Sequence, residues 1–247
     1  MTEAIPAATL VLFRDSGAVP ELLFVERSKA MVFAGGALVF PGGRIDPGDR
    51  ALALELGGEP EDMAARIGAI RETIEEVGLP IGLPPMPDAT FAELRAALHR
   101  GEAIGAALRD LDLALDPAQL VPFARWLPSH APARIFDTRF YLAQASLDGP
   151  EAVVDDTENV RVFWSSAQGV LDDADAGRVR IIFPTRRNLE RLAQFESFAA
   201  AAAHAAAHEI RAVTPWVEQR DGEEHLCIPD DLGYPITSEP IGDVMRG

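Results

Sequence analysis

The sequence predicts an α/β protein, and three observations carry that expectation. Short apolar runs rich in β-formers alternate with segments of helical period along most of the chain. One helical segment, residues 60–77, has an apolar stripe on one side and acidic residues on the other. Hydrophobic residues make up 48% of the chain, enough for a substantial core.

Thr9–Phe13 and Leu22–Val25 read as a hairpin-like strand pair, separated by the polar segment 14–21. Ala37–Phe40 is a further strand, closed by Pro41-Gly42-Gly43, which reads as a tight turn. Residues 44–59 read as a polar loop with a short helix at Ala51–Leu56. In the next helix Met63, Ile67, Ile70, Ile74 and Val77 recur at helical spacing. Pro60 suits its first turn, Gly78 suits the left-handed residue past its end, and Pro80 prevents continuation.

A proline-rich boundary at residues 80–90 leads into helical residues 91–113, broken around Gly101 and Gly105. This helical insert, about 86–118, is too short to bury a core of its own. Strands are expected at Val121–Leu127, Thr138–Ala143 and Val160–Trp164, a helix at Ser165–Ala176 and a strand at Val179–Phe183. Residues 185–210, with an alanine tract, read as one helix, and residues 216–247 as a tail packed on the domain. One domain over 1–247 is expected, with its core at about 8–215.

The formal net charge of −17 argues against nucleic acid and anionic membranes as partners. A single cysteine, Cys227, allows no internal disulfide and is read as a small semi-buried apolar residue. No apolar stretch is long enough to span a bilayer and the N-terminus lacks a basic leader, so a cytoplasmic location is expected. His204 and His208 have metal-ligand spacing but no third ligand nearby, and are read as surface histidines.

The densest chemistry lies in Arg71-Glu72-Thr73-Ile74-Glu75-Glu76-Val77-Gly78-Leu79. At about 100° per residue the three glutamates share an arc of roughly 100°, opposite the apolar stripe. Three carboxylates so close repel one another unless a cation sits among them, and hard divalent ions prefer such oxygens. Upstream stands Phe40-Pro41-Gly42-Gly43-Arg44-Ile45-Asp46-Pro47-Gly48-Asp49. Together the two segments resemble the Nudix box, a Gly, a Glu six residues on, and then Arg-Glu-(aliphatic)-x-Glu-Glu-x-Gly-(aliphatic). Gly43, Arg71, Glu72, Glu75, Glu76, Gly78 and Leu79 match. Asp49 stands for the first Glu and is one methylene shorter, Thr73 stands for an aliphatic residue, and 21 residues (50–70) separate the halves where the pattern has seven. The extra residues are expected to bulge outward.

Leu22-Leu23-Phe24-Val25-Glu26-Arg27-Ser28, followed by Gly36 and Phe40-Pro41-Gly42-Gly43, is similar to the coenzyme A signature of one Nudix branch, with Phe24 and Val32 as departures. The long insertion within the box is similar to the peroxisomal-type coenzyme A diphosphatase branch. The resemblance implies an α/β/α sandwich around a mixed sheet, with a helical insert and a C-terminal helix. It further implies Mg²⁺- or Mn²⁺-dependent hydrolysis of a diphosphate in a nucleoside diphosphate derivative, coenzyme A or acyl-coenzyme A foremost. The alternatives are another substrate of that class, such as an ADP-sugar, a dinucleotide or NADH, or a non-catalytic nucleotide-binding regulator. A homodimer is also implied.

Glu72, Glu75 and Glu76 are the expected metal ligands, with the resemblance adding a carbonyl of Gly42. Bound divalent ions would neutralise phosphoryl charge and lower the pKa of a water. Glu75 and Glu76 also enter the catalytic set, with Arg71 orienting a glutamate. Glu158 is the candidate general base, with Glu151, Asp155 and Asp156 as rivals. Arg27, Arg134 and Arg139 are candidate phosphate contacts, since guanidinium binds phosphate bidentately. The side-chain-free Gly42-Gly43 pair would admit the diphosphate.

Overall fold

The structure, a computed structural model, describes residues 4–15, 17–31, 34–129, 134–147, 149–154, 159–220 and 222–244. It opens with two antiparallel strands, β1 (Ile5–Arg14) and β2 (Glu21–Arg27). β3 (Ala37–Val39) pairs with β2, and after Pro41 the chain crosses to β1 as β4 (Gly42–Arg44). The tight turn expected at Pro41–Gly43 is therefore partly a strand. Gly42 and Gly43 pair with Thr9 and Ala8, because a residue with no side chain lets β4 lie close against β1.

Four helices follow, α1 (Pro47–Leu56), α2 (Pro60–Val77), α3 (Asp88–His99) and α4 (Ile104–Asp110). Next come β5 (Val121–Trp126), β6 (Phe136–Gln144), β7 (Asn159–Ser165), α5 (Ala167–Asp175), β8 (Arg180–Ile181), α6 (Phe183–Leu192), α7 (Phe198–Ala206) and β9 (Ala212–Val213). A small antiparallel sheet of β10 (Trp216–Arg220), β11 (Glu223–Cys227) and β12 (Ser238–Pro240) leads to a final turn of helix, α8 (Ile241–Val244).

The main sheet runs β8-β3-β2-β1-β6-β5-β9, with β4 on β1 and β7 on β2. It is mixed, as expected: β1–β6, β3–β8 and β5–β9 are parallel and the other pairs antiparallel. β1 is apolar on both faces and so sits between two layers. Leu10 and Leu12 join α2, α3 and α4 in one cluster, while Val11 and Phe13 join α5, α6 and α7 in the other. Two helical layers around one sheet make the α/β/α sandwich.

α2 has the bounds its stripe and punctuation foretell. Ile67, Ile70, Ile74 and Val77 are fully buried, each worth roughly 1.5–3 kcal/mol. The Glu59 side chain accepts from the backbone N–H groups of Glu61 and Asp62 at the helix start. Gly78 closes the helix at φ 66°, ψ 37°, its N–H donating to Ile74 O. The extra residues within the box do not bulge outward. They become α1 and the first turns of α2, packed together through buried Leu52 and Ala53.

Three further expectations change. The helix expected over 185–210 is two, because Ser197 caps a new start at Ala200 N–H. The tail is itself a sheet, and Cys227 within it is fully buried. His204 and His208 are half-buried, stacked on each other with ring centroids 4.2 Å apart and beside Phe195. In the insert, Leu94, Leu98, Ile104 and Leu108 complete the same cluster as α2.

Candidate active site

β4, paired with β1 in the middle of the sheet, meets α2, and the glutamates gather along that seam. Glu76 is buried and accepts the Gly42 N–H at 3.0 Å. Glu72 lies against Gly43, where a β-carbon would collide with its carboxylate. Glu75 is one turn away, on the same side.

Arg71 braces the whole seam. Its Nε and Nη2 donate to the two carboxylate oxygens of Asp49, each at 3.0 Å. Nη2 also reaches Arg44 O at 2.8 Å, which ties β4 to α2. Nη1 donates to Glu72 Oε1 and Glu75 Oε2, both at 3.0 Å. Asp49 is fully buried, and its Oδ2 accepts the Asp46 N–H as well. The shorter acid at position 49 thus still meets Arg71 bidentately. Thr73 is also buried, its hydroxyl satisfied by Ala69 O within the helix.

The electrostatics follow from burial. Glu72 is pushed up to about 8, chiefly by burial; Arg71 opposes the rise while Glu76 and Glu75 add to it. Burial likewise raises Glu75 against the pull of Arg71. Burial alone would lower Arg71, yet its hydrogen bond to Asp49 and the charges of Glu72, Asp49 and Glu75 hold it above the ordinary arginine range. Among the described residues, no three acidic, His or Cys side chains converge in a metal-holding arrangement, and Arg71 spans Glu72 and Glu75. The donor chemistry nonetheless fits Mg²⁺ or Mn²⁺. Three carboxylates and glycine carbonyls are hard oxygen donors, and the upward push on Glu72 from burial and from the charges of Glu76 and Glu75 is one that a divalent cation would offset.

A cleft of about 570 Å³ reaches this seam, touching Glu72, Gly42, Gly43, Arg44 and Asp46. From there it extends in two directions. One arm passes Arg27, Met31 and Phe40; the other crosses Thr138 and Phe136 to Trp126, with Arg134 and the start of α6 beside it.

Arg27 and Arg134, two of the candidate phosphate contacts, both line this cleft. Arg139 does not. It sits between Ala8 and Arg125 in the sheet and pairs with Asp62 of α2 at 3.5 Å, on the face turned away from the cleft. Its neighbours Thr138 and Phe140 face the cleft instead, because side chains alternate along a strand. Glu158, Asp155 and Asp156 lie outside the described residues. Glu151 is exposed and lines a different pocket, with Arg14 and Gln144.

Sequence reasoning missed Thr9, Trp126, Phe136 and Thr185 as cleft residues. Only the alternation of Phe136, Thr138 and Phe140 could have signalled a shared face. It also missed Arg95, whose guanidinium donates to Glu75 O and Val153 O, fastening the end of α2 to the segment that leads towards β7. Gly78 is needed here too, since a β-carbon would come within 2.8 Å of Arg95 Nη1.

No model of a known protein family matches the sequence. Comparison with solved structures does place it. The crystal structure of a NUDIX hydrolase from Alicyclobacillus acidocaldarius aligns with a TM-score of 0.70 and 29% identity, over 82% of this chain and 97% of that one. The fold is the Nudix fold, and the chain is a member of the Nudix hydrolase superfamily. Among individual proteins it is similar to the acyl-coenzyme A diphosphatase NUDT19 of Gallus gallus, at 28% identity over 72% of this chain. The match spans 62% of that relative's length.

Proposed function

We propose that the protein hydrolyses the diphosphate linkage of a nucleoside diphosphate derivative, with coenzyme A or an acyl-coenzyme A as substrate and Mg²⁺ or Mn²⁺ as cofactor. One observation carries the reading. Two glutamates of α2, Glu72 and Glu76, meet the glycine pair of β4, with Glu75 tied to Glu72 through Arg71, beside a cleft that extends both ways, with an arginine on each arm. A diphosphate with an organic group on either side has that shape. The acyl-coenzyme A diphosphatase among its relatives favours this choice of substrate.

When bound, the divalent ion would neutralise phosphoryl charge and acidify a water. Glu72, Glu75, Glu76 and a carbonyl of Gly42 would hold it. Arg71, fixed by Asp49, keeps the carboxylates of Glu72 and Glu75 aligned. Arg27 and Arg134 would bind phosphate oxygens on the two arms. Water attacks phosphorus, its proton passes to a carboxylate, with Glu158 as candidate, and the bridging P–O bond breaks. From coenzyme A the products are adenosine 3′,5′-bisphosphate and phosphopantetheine.

The test is a metal-dependent hydrolysis panel with product identification. Coenzyme A and its acyl derivatives should be cleaved, EDTA should abolish turnover and Mg²⁺ restore it. Glu75→Gln should lower kcat by at least about 100-fold with an unchanged melting profile. Cleavage of an ADP-sugar in preference to coenzyme A would reassign the substrate. Full activity of Glu75→Gln would remove the glutamates from the mechanism, and nucleotide binding without turnover would mark a regulator.

A further inference from the structure

We propose that Tyr234, in the C-terminal segment after β11, is a positioning and specificity-determining residue that fixes Trp126 as the end wall of one cleft arm. The inference rests on the cleft assigned above. The floor of this arm is a row of paired residues across four strands: Arg44 on β4, Ala7 on β1, Thr138 on β6 and Trp126 on β5. Three inter-strand steps make it about 14 Å from the glutamate seam to Trp126. An organic group attached to a diphosphate at that seam would extend towards the indole.

The indole is held from behind by residues far away in sequence. Its Nε1–H is within hydrogen-bond distance of Tyr234 OH at 3.1 Å and of Asn188 Oδ1 at 3.3 Å. Tyr234 in turn donates to Asn188 Oδ1 at 3.0 Å. All three side chains are buried, with Asn188 fully so. The Tyr234 ring meets the indole edge-on, with centroids 5.8 Å apart, and Phe183 does the same from α6 at 6.0 Å. Arg191 lies over the Tyr234 ring and donates to Phe123 O on β5. The C-terminal segment thus holds together β5, which supplies Trp126, and α6, which supplies Pro184 and Thr185 to the same arm.

A side chain that only stabilised the fold would change the melting temperature and leave substrate recognition alone. One that fixes a wall changes recognition with the chemistry unaltered. The experiment therefore measures binding apart from turnover. Trp164→Phe and Trp216→Phe leave Trp126 as the sole tryptophan, and its emission is titrated with coenzyme A and with ADP-ribose in EDTA, so that no hydrolysis occurs. Adding Tyr234→Phe should raise Kd by about tenfold for the ligand whose organic group reaches the wall, the loss of one buried hydrogen bond. In the Mg²⁺ assay the same substitution should raise KM and leave kcat within about twofold. An unchanged Kd and KM in Tyr234→Phe, or no ligand response from Trp126, would overturn the proposal. A shifted Kd in a protein that cleaves no diphosphate would leave the wall in place and remove the hydrolase reading instead.

Discussion

At the scale of single residues, the site depends on how a buried cation is shared. Arg71 is nearly inaccessible and serves Asp49, Arg44, Glu72 and Glu75 together, so removing a partner strands a charge in the interior. Asp49 is matched to its surroundings by length. Gly68 of α2 approaches it so closely that a β-carbon there would come within 3.1 Å of Oδ2. Restoring the family residue should therefore harm this chain. Asp49→Glu is expected to lower stability by about 1–3 kcal/mol, read by chemical denaturation, because the added methylene has no room. The motif marked Asp49 as the stand-in for the first Glu, but neither its pairing with Arg71 nor the fit of the shorter acid could be read from it. That fit depends on Gly68, which no spacing rule connects to position 49.

Among the elements, α2 was the most readable, because stripe, proline start and glycine stop all agree on the same bounds. α6 and α7 were least so. Alanine-rich sequence has helical propensity throughout, and only the Ser197 cap marks the break between them. α6 also carries a group that ties stability to pH. Glu190 is pushed up to about 7, chiefly by burial, despite the attraction of Arg187 and Arg186. Its folded value lies above the ordinary 4.5, so the unfolded chain releases this proton first. The associated stability is fully present below pH 4.5 and lost as the pH rises through about 7. Glu190→Gln should flatten that part of the profile. Its melting temperature at pH 8, relative to wild type, should exceed its relative value at pH 4.5 by on the order of 3 °C. Calorimetry across the range checks this.

Across the whole molecule, the sheet decides which residues can cooperate. The sequence placed Arg134 and Arg139 together as phosphate contacts, five positions apart. Folding puts Arg134 beside the cleft and Arg139 on the opposite face, against α2. Arg134→Gln should raise KM by about tenfold, whereas Arg139→Gln should leave KM within about twofold and change stability by less than about 1 kcal/mol. Steady-state kinetics on the two variants separates them. The core layers and the glutamate helix could be read in advance because they rest on local periodicity. The far wall of the cleft could not. It is assembled from β5, α6 and a segment more than 100 residues beyond β5, and no local pattern encodes such a meeting.

The glutamates approach from one side of the sheet and most of the cleft lies on the other, the two meeting at β4, Asp46 and Glu72. On the proposed function, bond breaking and substrate choice then fall largely to different elements of the protein. Substitutions in α6 or the C-terminal segment should then shift which molecule is accepted while leaving the glutamate site intact. Such a division lets a lineage explore new substrates one half at a time, and it offers a designer the same freedom.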